Sequence, residues 1–144
     1  MTRRAARDDG RVSIFLAIAL AGILIVIGLA YDGAGHLRSL QRAHNLASEA
    51  ARAGGQAIDV AQAIEGGDKQ IDQPAARAAV DAYRAAAGVT GPPATFATGP
   101  NGEPLIQVTV IITYDNVFLD VFGFGDTTTV TGTATAGLLT TSDS

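Results

Sequence analysis

Hydrophobic and polar positions follow three different rhythms along the 144 residues, and each rhythm predicts a different element. The first is no rhythm at all. From Val12 to Tyr31 the chain reads VSIFLAIALAGILIVIGLAY, twenty residues without a charge, with Ser13 the one strongly polar side chain before the terminal tyrosine. At about 1.5 Å rise per residue a helix of that length spans roughly 30 Å, the thickness of a bilayer's hydrocarbon layer. A stretch apolar on every face predicts a transmembrane helix rather than a core helix, because the remaining residues are too rich in Ala, Gly and Thr to wrap it. Asp32-Gly33-Ala34-Gly35 permits a bend at the membrane exit, but helical periodicity resumes at once.

The second rhythm has steps of three and four. Leu37, Leu40, His44, Ala47, Ala51, Gly54, Ile58 and Ala61 form one stripe, and Arg38, Arg42, Asn45, Glu49, Arg52, Gln56 and Asp59 the opposite one. They predict a long amphipathic helix ending near Glu65, before Gly66-Gly67. Because the apolar stripe is built of small residues, Leu40, Ala47, Ala51, Gly54 and Ile58 are candidates for a close helix–helix interface with a partner subunit. Gly54-Gly55 costs up to about 1 kcal/mol per residue relative to alanine, which favours a tight crossing point over a hinge. A second helix is expected from Asp72 or Gln73, with Pro74 in its first turn, to Gly88 at the C′ position. Ala76, Ala79, Val80, Tyr83 and Ala87 would be its buried face, and Arg77, Asp81 and Arg84 its solvated one.

The third rhythm is two. In Leu105–Tyr114, Ile106, Val108, Val110, Ile112 and Tyr114 alternate with Gln107, Thr109 and Thr113; in Thr127–Leu138, Thr128, Val130, Ala134, Ala136 and Leu138 oppose Thr129, Thr131, Thr133 and Thr135. These are half-buried strands. A shorter run, Ala94–Thr98, precedes the turn-forming Gly99-Pro100-Asn101-Gly102 and predicts a third strand, and the short connections make the sheet antiparallel. Between the long strands, Val117–Phe124 holds Phe118, Phe122 and Phe124, three of the five phenylalanines. It is expected to fold back over the sheet, the alternative being an exposed loop touching lipid or a neighbouring subunit. The fold class is therefore α+β, with a transmembrane helix running into a long amphipathic helix, a second helix and an antiparallel sheet of two or three strands. The expected divisions are a cytoplasmic Arg-rich leader at 1–11, the span at 12–31, extracytoplasmic helices at 32–88, the sheet at 89–139 and a frayed tail at 140–144.

Charge sets the orientation. Residues 1–11 carry Arg3, Arg4, Arg7 and Arg11 against Asp8 and Asp9. By the positive-inside rule this end stays in the cytoplasm and residues 32–144 lie outside. From Gly33 onward six basic residues face eleven acidic ones, a balance that excludes nucleic acid as the natural partner. Gly28 and Ala30 also fit the small-residue pattern of a signal-peptidase site, which would release a secreted domain. However, the uncharged run before Ala30 is eighteen residues long and exceeds the usual signal core of about 7 to 15.

Candidate chemistry is sparse. There is no cysteine, and His36 and His44 stand eight residues apart without a third ligand at useful spacing, so no metal site is expected. No serine sits in a triad-like context and no acid–base pair emerges, so the chain is read as a non-enzyme without cofactors.

The order of parts carries a resemblance. Gly10-Arg11-Val12-Ser13-Ile14-Phe15 before the span, Gly28-Leu29-Ala30-Tyr31-Asp32-Gly33 after it, and the stretch from Leu40-Gln41-Arg42-Ala43 to Ala50-Ala51-Arg52-Ala53 resemble the TadE/TadG-like proteins of tight-adherence (Flp) pilus assembly. The likeness covers about the first fifty-five residues. It implies a minor pilin or pseudopilin-like component, held in membrane lipid and associated with other pilins or pilus-assembly proteins as a homo- or hetero-oligomer, with surface display in a pilus as one destination. It also implies candidate processing between Gly10 and Arg11. Two positions depart from the prepilin pattern: Phe15 stands where a glutamate is common, and Ala21 lies near where a proline is often found. The competing reading from the residues themselves is a membrane-tethered or secreted binding or adhesion module.

Overall fold

A computed structural model describes residues 5–57 and 70–137, with side chains from residue 11 onward within the first stretch. The fold is α+β: helix α1 (Ala5–Gly55), helix α2 (Gln73–Ala87), strands β1 (Thr95–Thr98) and β2 (Pro104–Asp115), a single helical turn α3 (Phe118–Val121), and strand β3 (Thr127–Gly137). The three strands form an antiparallel sheet in the order β1-β2-β3. The chain packs as two units, one of residues 1–36 with 115–128 and one of residues 37–114 with 129–144.

In the larger unit, the C-terminal part of α1 and the whole of α2 cover one face of the sheet. Ala50, Ala51, Ala76, Val80, Ala94, Ile106 and Val108 make its core. The inward phase of β2 is the expected one: Ile106, Val108 and Val110 are fully buried. β1 pairs with β2 in a register running from Thr95↔Gln107 to Thr98↔Pro104, and the turn between them closes through Gly99 N–H donating to Glu103 O (2.8 Å), with Gly102 at φ 83°. α2 starts where its cap dictates. The Asp72 carboxylate accepts from Ala75 N–H at 3.0 Å, Pro74 occupies the first turn, and Gly88 ends the helix in the left-handed conformation at φ 66°.

Three expectations require correction. α1 ends at Gly55, not near Glu65, and residues 58–65 lie outside the described ones. Two successive glycines make further helix costly, and the end tightens through Ala57 N–H donating to Gly54 O (3.1 Å) before Ala57 O receives Asp72 N–H (3.0 Å). Arg84, expected in solvent, is only 4% exposed. One of its terminal nitrogens, Nη2, donates to the Thr109 carbonyl at 2.7 Å and the other, Nη1, to Asp81 at 3.4 Å, while Nε has no partner. Finally, the buried stripe of α1 is Ala43, Ala47, Ala50, Ala51 and Gly54, whereas Leu37 is exposed and His44 points outward, its Nδ1 3.3 Å from Thr133 O.

Glycine marks the closest approach. A Cβ on Gly132 of β3 would collide with the backbone of Ala43 and His44, so strand and helix touch without a side chain between them. A Cβ on Gly54 would lie 2.6 Å from Ile106 Cδ1 and 2.8 Å from Val80 Cγ2, which makes Gly54 the expected tight crossing point, formed within the chain's own fold.

Candidate membrane anchor and the loop docked on it

Helix α1 contains an 18-residue window of mean hydropathy 2.9, of which 6% is buried. Between Val12 and Leu29, twelve large apolar side chains are exposed, among them Phe15 (73%), Ile18 (68%) and Val26 (66%). Burying an aliphatic or aromatic side chain is worth about 1.5–3 kcal/mol. Twelve such side chains in water would forgo more than the roughly 5–15 kcal/mol by which a domain is stable. The long apolar helix has the length and composition of a membrane anchor.

At the end of the apolar stretch the structure adds a feature that sequence patterning missed. Asp32 is 1% exposed, and its carboxylate accepts three backbone N–H groups from the β2–β3 connection: Val117 at 3.1 Å, Phe118 at 2.9 Å and Leu119 at 2.7 Å. The turn α3 has no cap of its own, since Val117 supplies no side-chain acceptor. The carboxylate sits at the open end of the turn and satisfies the donors that a helix start leaves open. One turn earlier on α1, Gly28 is buried because Phe118 lies on it. A Cβ there would come within 2.8 Å of the Phe118 ring and Cβ. Tyr31 meets Phe118 edge to face, with ring centroids 5.6 Å apart. Asn116 closes the base of the loop, donating to Gly125 O (3.1 Å) and exchanging hydrogen bonds with the Thr128 hydroxyl.

The expected fold-back over the sheet is therefore corrected: Phe118 packs on Gly28 and Tyr31 of α1. Phe118 is half-buried, while Phe122 and Phe124 are exposed, Phe124 by 78%. With Ile25, Leu29 and Leu119 these three phenylalanines line an apolar cleft of about 420 Å³.

The other candidates are placed as follows. Gly10 is within α1 and Arg11 is exposed on it. Ala47, Ala51 and Gly54 are buried in the chain's own core, which leaves no surface there for a neighbouring subunit, and Leu40 is half-buried. Ile58 lies outside the described residues. Among the described residues no group of three or more His, Cys, Asp or Glu side chains could hold a metal ion.

Two signals for the docked loop were present in the sequence: an acid directly after the apolar stretch, and three phenylalanines in one connection. Their pairing could not be read, because 85 residues separate Asp32 from Val117.

No curated protein and no solved structure matches the chain. Residues 10–57, a third of the chain, match the family model described as putative Flp pilus-assembly TadE/G-like. The match begins just before the apolar stretch and ends just past the end of α1, so it covers the anchor and the helix that enters the sheet unit. That family is a pilus-assembly component and not an enzyme family. Over residues 10–57 the chain is therefore similar to the putative TadE/G-like Flp pilus-assembly family.

Proposed function

We propose that this chain is a membrane-anchored structural or assembly component of a Tad-type pilus or a related secretion apparatus, in the role of a minor pilin or pseudopilin. The observation that carries the reading is the TadE/G-like match over one uninterrupted helix, apolar on all faces from Val12 to Leu29 and packed on a small sheet further on. Such a helix can sit in lipid and tether its sheet unit to the membrane, which suits a subunit inserted first and assembled later. In this reading residues 12–31 cross the membrane, the arginine-rich end stays in the cytoplasm, and the sheet unit lies outside, where other pilins or assembly proteins reach it.

The alanine stripe of α1 is not the assembly surface in this reading, because the sheet unit consumes it. Partner contact falls to the exposed apolar surfaces of the span and to the loop docked beside it. Deleting the gene and counting surface pili tests the role. Loss of pili or of surface adhesion, restored by the full-length chain and not by a chain lacking residues 12–31, is the expected result. Unchanged pili and adhesion would refute it and favour a tethered binding module instead.

A further inference from the structure

We infer that the loop Val117–Phe124 is a lipid-dipping element, docked on the anchor by Asp32, whose apolar cleft takes an acyl chain of the outer leaflet. The inference rests on the reading that residues 12–31 span a bilayer.

The level of the loop comes first. Phe118 lies on Gly28 and against Tyr31. Gly28 is three residues inside the end of the apolar stretch, which corresponds to about 4.5 Å at helical rise. The cleft takes in Leu29 and reaches further down the same helix to Ile25. If the helix is in lipid at those positions, the loop is beside it at the same depth.

The chemistry of the surface comes second. All six side chains lining the cleft are apolar. Phe122 and Phe124, which line the cleft, and Val117 and Val121 of the same loop are exposed to between 46% and 78%, as are the cleft residues Ile25 and Leu29 of the span. This continuity selects an acyl chain as occupant: the same hydrocarbon that covers Ile25 and Leu29 on their free sides extends into the cleft. Asp120, exposed on the turn, limits insertion to the interfacial depth where its carboxylate reaches water.

The backbone supplies the third and independent observation. Irregular chain enters hydrocarbon only when its N–H groups are satisfied internally. The first three of the loop go to Asp32, and those of Phe122, Gly123 and Phe124 donate back to Phe118 O (3.3 Å), Asp120 O (2.9 Å) and Leu119 O (2.9 Å). With those partners none of the six N–H groups depends on water. Asp32 is thus a positioning residue for a bilayer contact.

The chain has no tryptophan, so one introduced indole reports alone. The full chain is reconstituted into phosphatidylcholine vesicles containing lipids brominated at defined acyl depths, with Phe124→Trp as probe, Val26→Trp as span control and Gln107→Trp as sheet control. The expected result is blue-shifted emission from Phe124→Trp, quenched best by shallow bromines, with Val26→Trp quenched by deeper ones and Gln107→Trp quenched only by aqueous iodide. Adding Asp32→Ala should remove bromine quenching of the indole at position 124 while leaving that of the indole at position 26, and the thermal unfolding of the sheet unit, unchanged. Iodide quenching at position 124 with normal bromine quenching at position 26 would overturn the inference and spare the anchor. Absence of bromine quenching at position 26 would overturn both. An indole at position 124 shielded from both quenchers in proportion to protein density in the membrane would assign the cleft to a second copy of the chain and overturn the lipid assignment.

Discussion

The two ends of α1 obey opposite rules. Between Val12 and Leu29 the helix carries large side chains and exposes them around its circumference, whereas between Ala43 and Gly54 it carries small ones and buries a single stripe. The first segment is apolar almost throughout, whereas the second mixes alanine with His, Asn, Ser, Glu and Arg and sorts them by face. Sorting is what water imposes: a helix in water must turn its apolar side to a core. A helix in lipid has no such need, since lipid tails are as apolar as leucine and the polar backbone is satisfied within the helix. Side-chain size follows the same division. The packed segment uses alanine and glycine because the sheet comes close enough for Gly132 to touch helix backbone, and the exposed segment uses Ile, Leu, Val and Phe because, among the described residues, only the loop seated on Gly28 crowds it.

Paired substitutions put this contrast at risk. The largest expected difference lies between Ile106→Ala and Leu16→Ala, the same kind of truncation in the two regions. The first should destabilise the sheet unit by about 2–5 kcal/mol in thermal or denaturant unfolding, and the second should leave that transition unchanged. Next is Gly22→Arg. A cation near the middle of the apolar stretch costs about 2.5–3.5 kcal/mol on insertion scales, so membrane fractionation should shift the protein out of the bilayer fraction. Wild-type fractionation would refute the anchor. Ala51→Leu overpacks the stripe against α2 and β2 and should cost about 1–3 kcal/mol in unfolding of the sheet unit. Loss of co-purification with pilus proteins at unchanged melting would instead return the stripe to a partner interface. The smallest effect is expected of Gln56→Leu, exposed at the end of α1, whose change should stay within about 0.5 kcal/mol.

What was legible in the sequence was what short-range physics decides. The α2 start at Asp72-Gln73-Pro74, its stop at Gly88, the apolar stretch of α1 and the inward phase of β2 each follow from a cap, a breaker or a period. The phase of the alanine stripe did not follow. Ala43, Ala47, Ala50, Ala51 and Ala53 make a broad apolar arc on one side of the helix, the stripe drawn through Leu37 and His44 runs along its edge, and the strand whose Gly132 touches Ala43 fixes the buried centre. Arg84 was misplaced for a related reason: its long side chain reaches a carbonyl on β2, a partner that helical spacing to Asp81 does not reveal. The docked loop was the least legible part. Asp32 reads locally as a membrane-exit acid, and only the return of the chain after β2 turns it into the cap of another element.

The most direct test of the anchor uses the absence of cysteine from the chain. Single cysteines at Ile14, Leu20 and Val26, and at Arg38, Gln41 and Glu49, all replace side chains that the protein itself leaves exposed, so protection at any of them must come from outside the chain. Intact spheroplasts are treated with a membrane-impermeant maleimide. The expected result is labelling at 38, 41 and 49 and none at 14, 20 and 26, before or after permeabilisation. Uniform labelling along α1 would contradict a membrane-embedded anchor, and labelling at 38–49 only after permeabilisation would contradict its orientation.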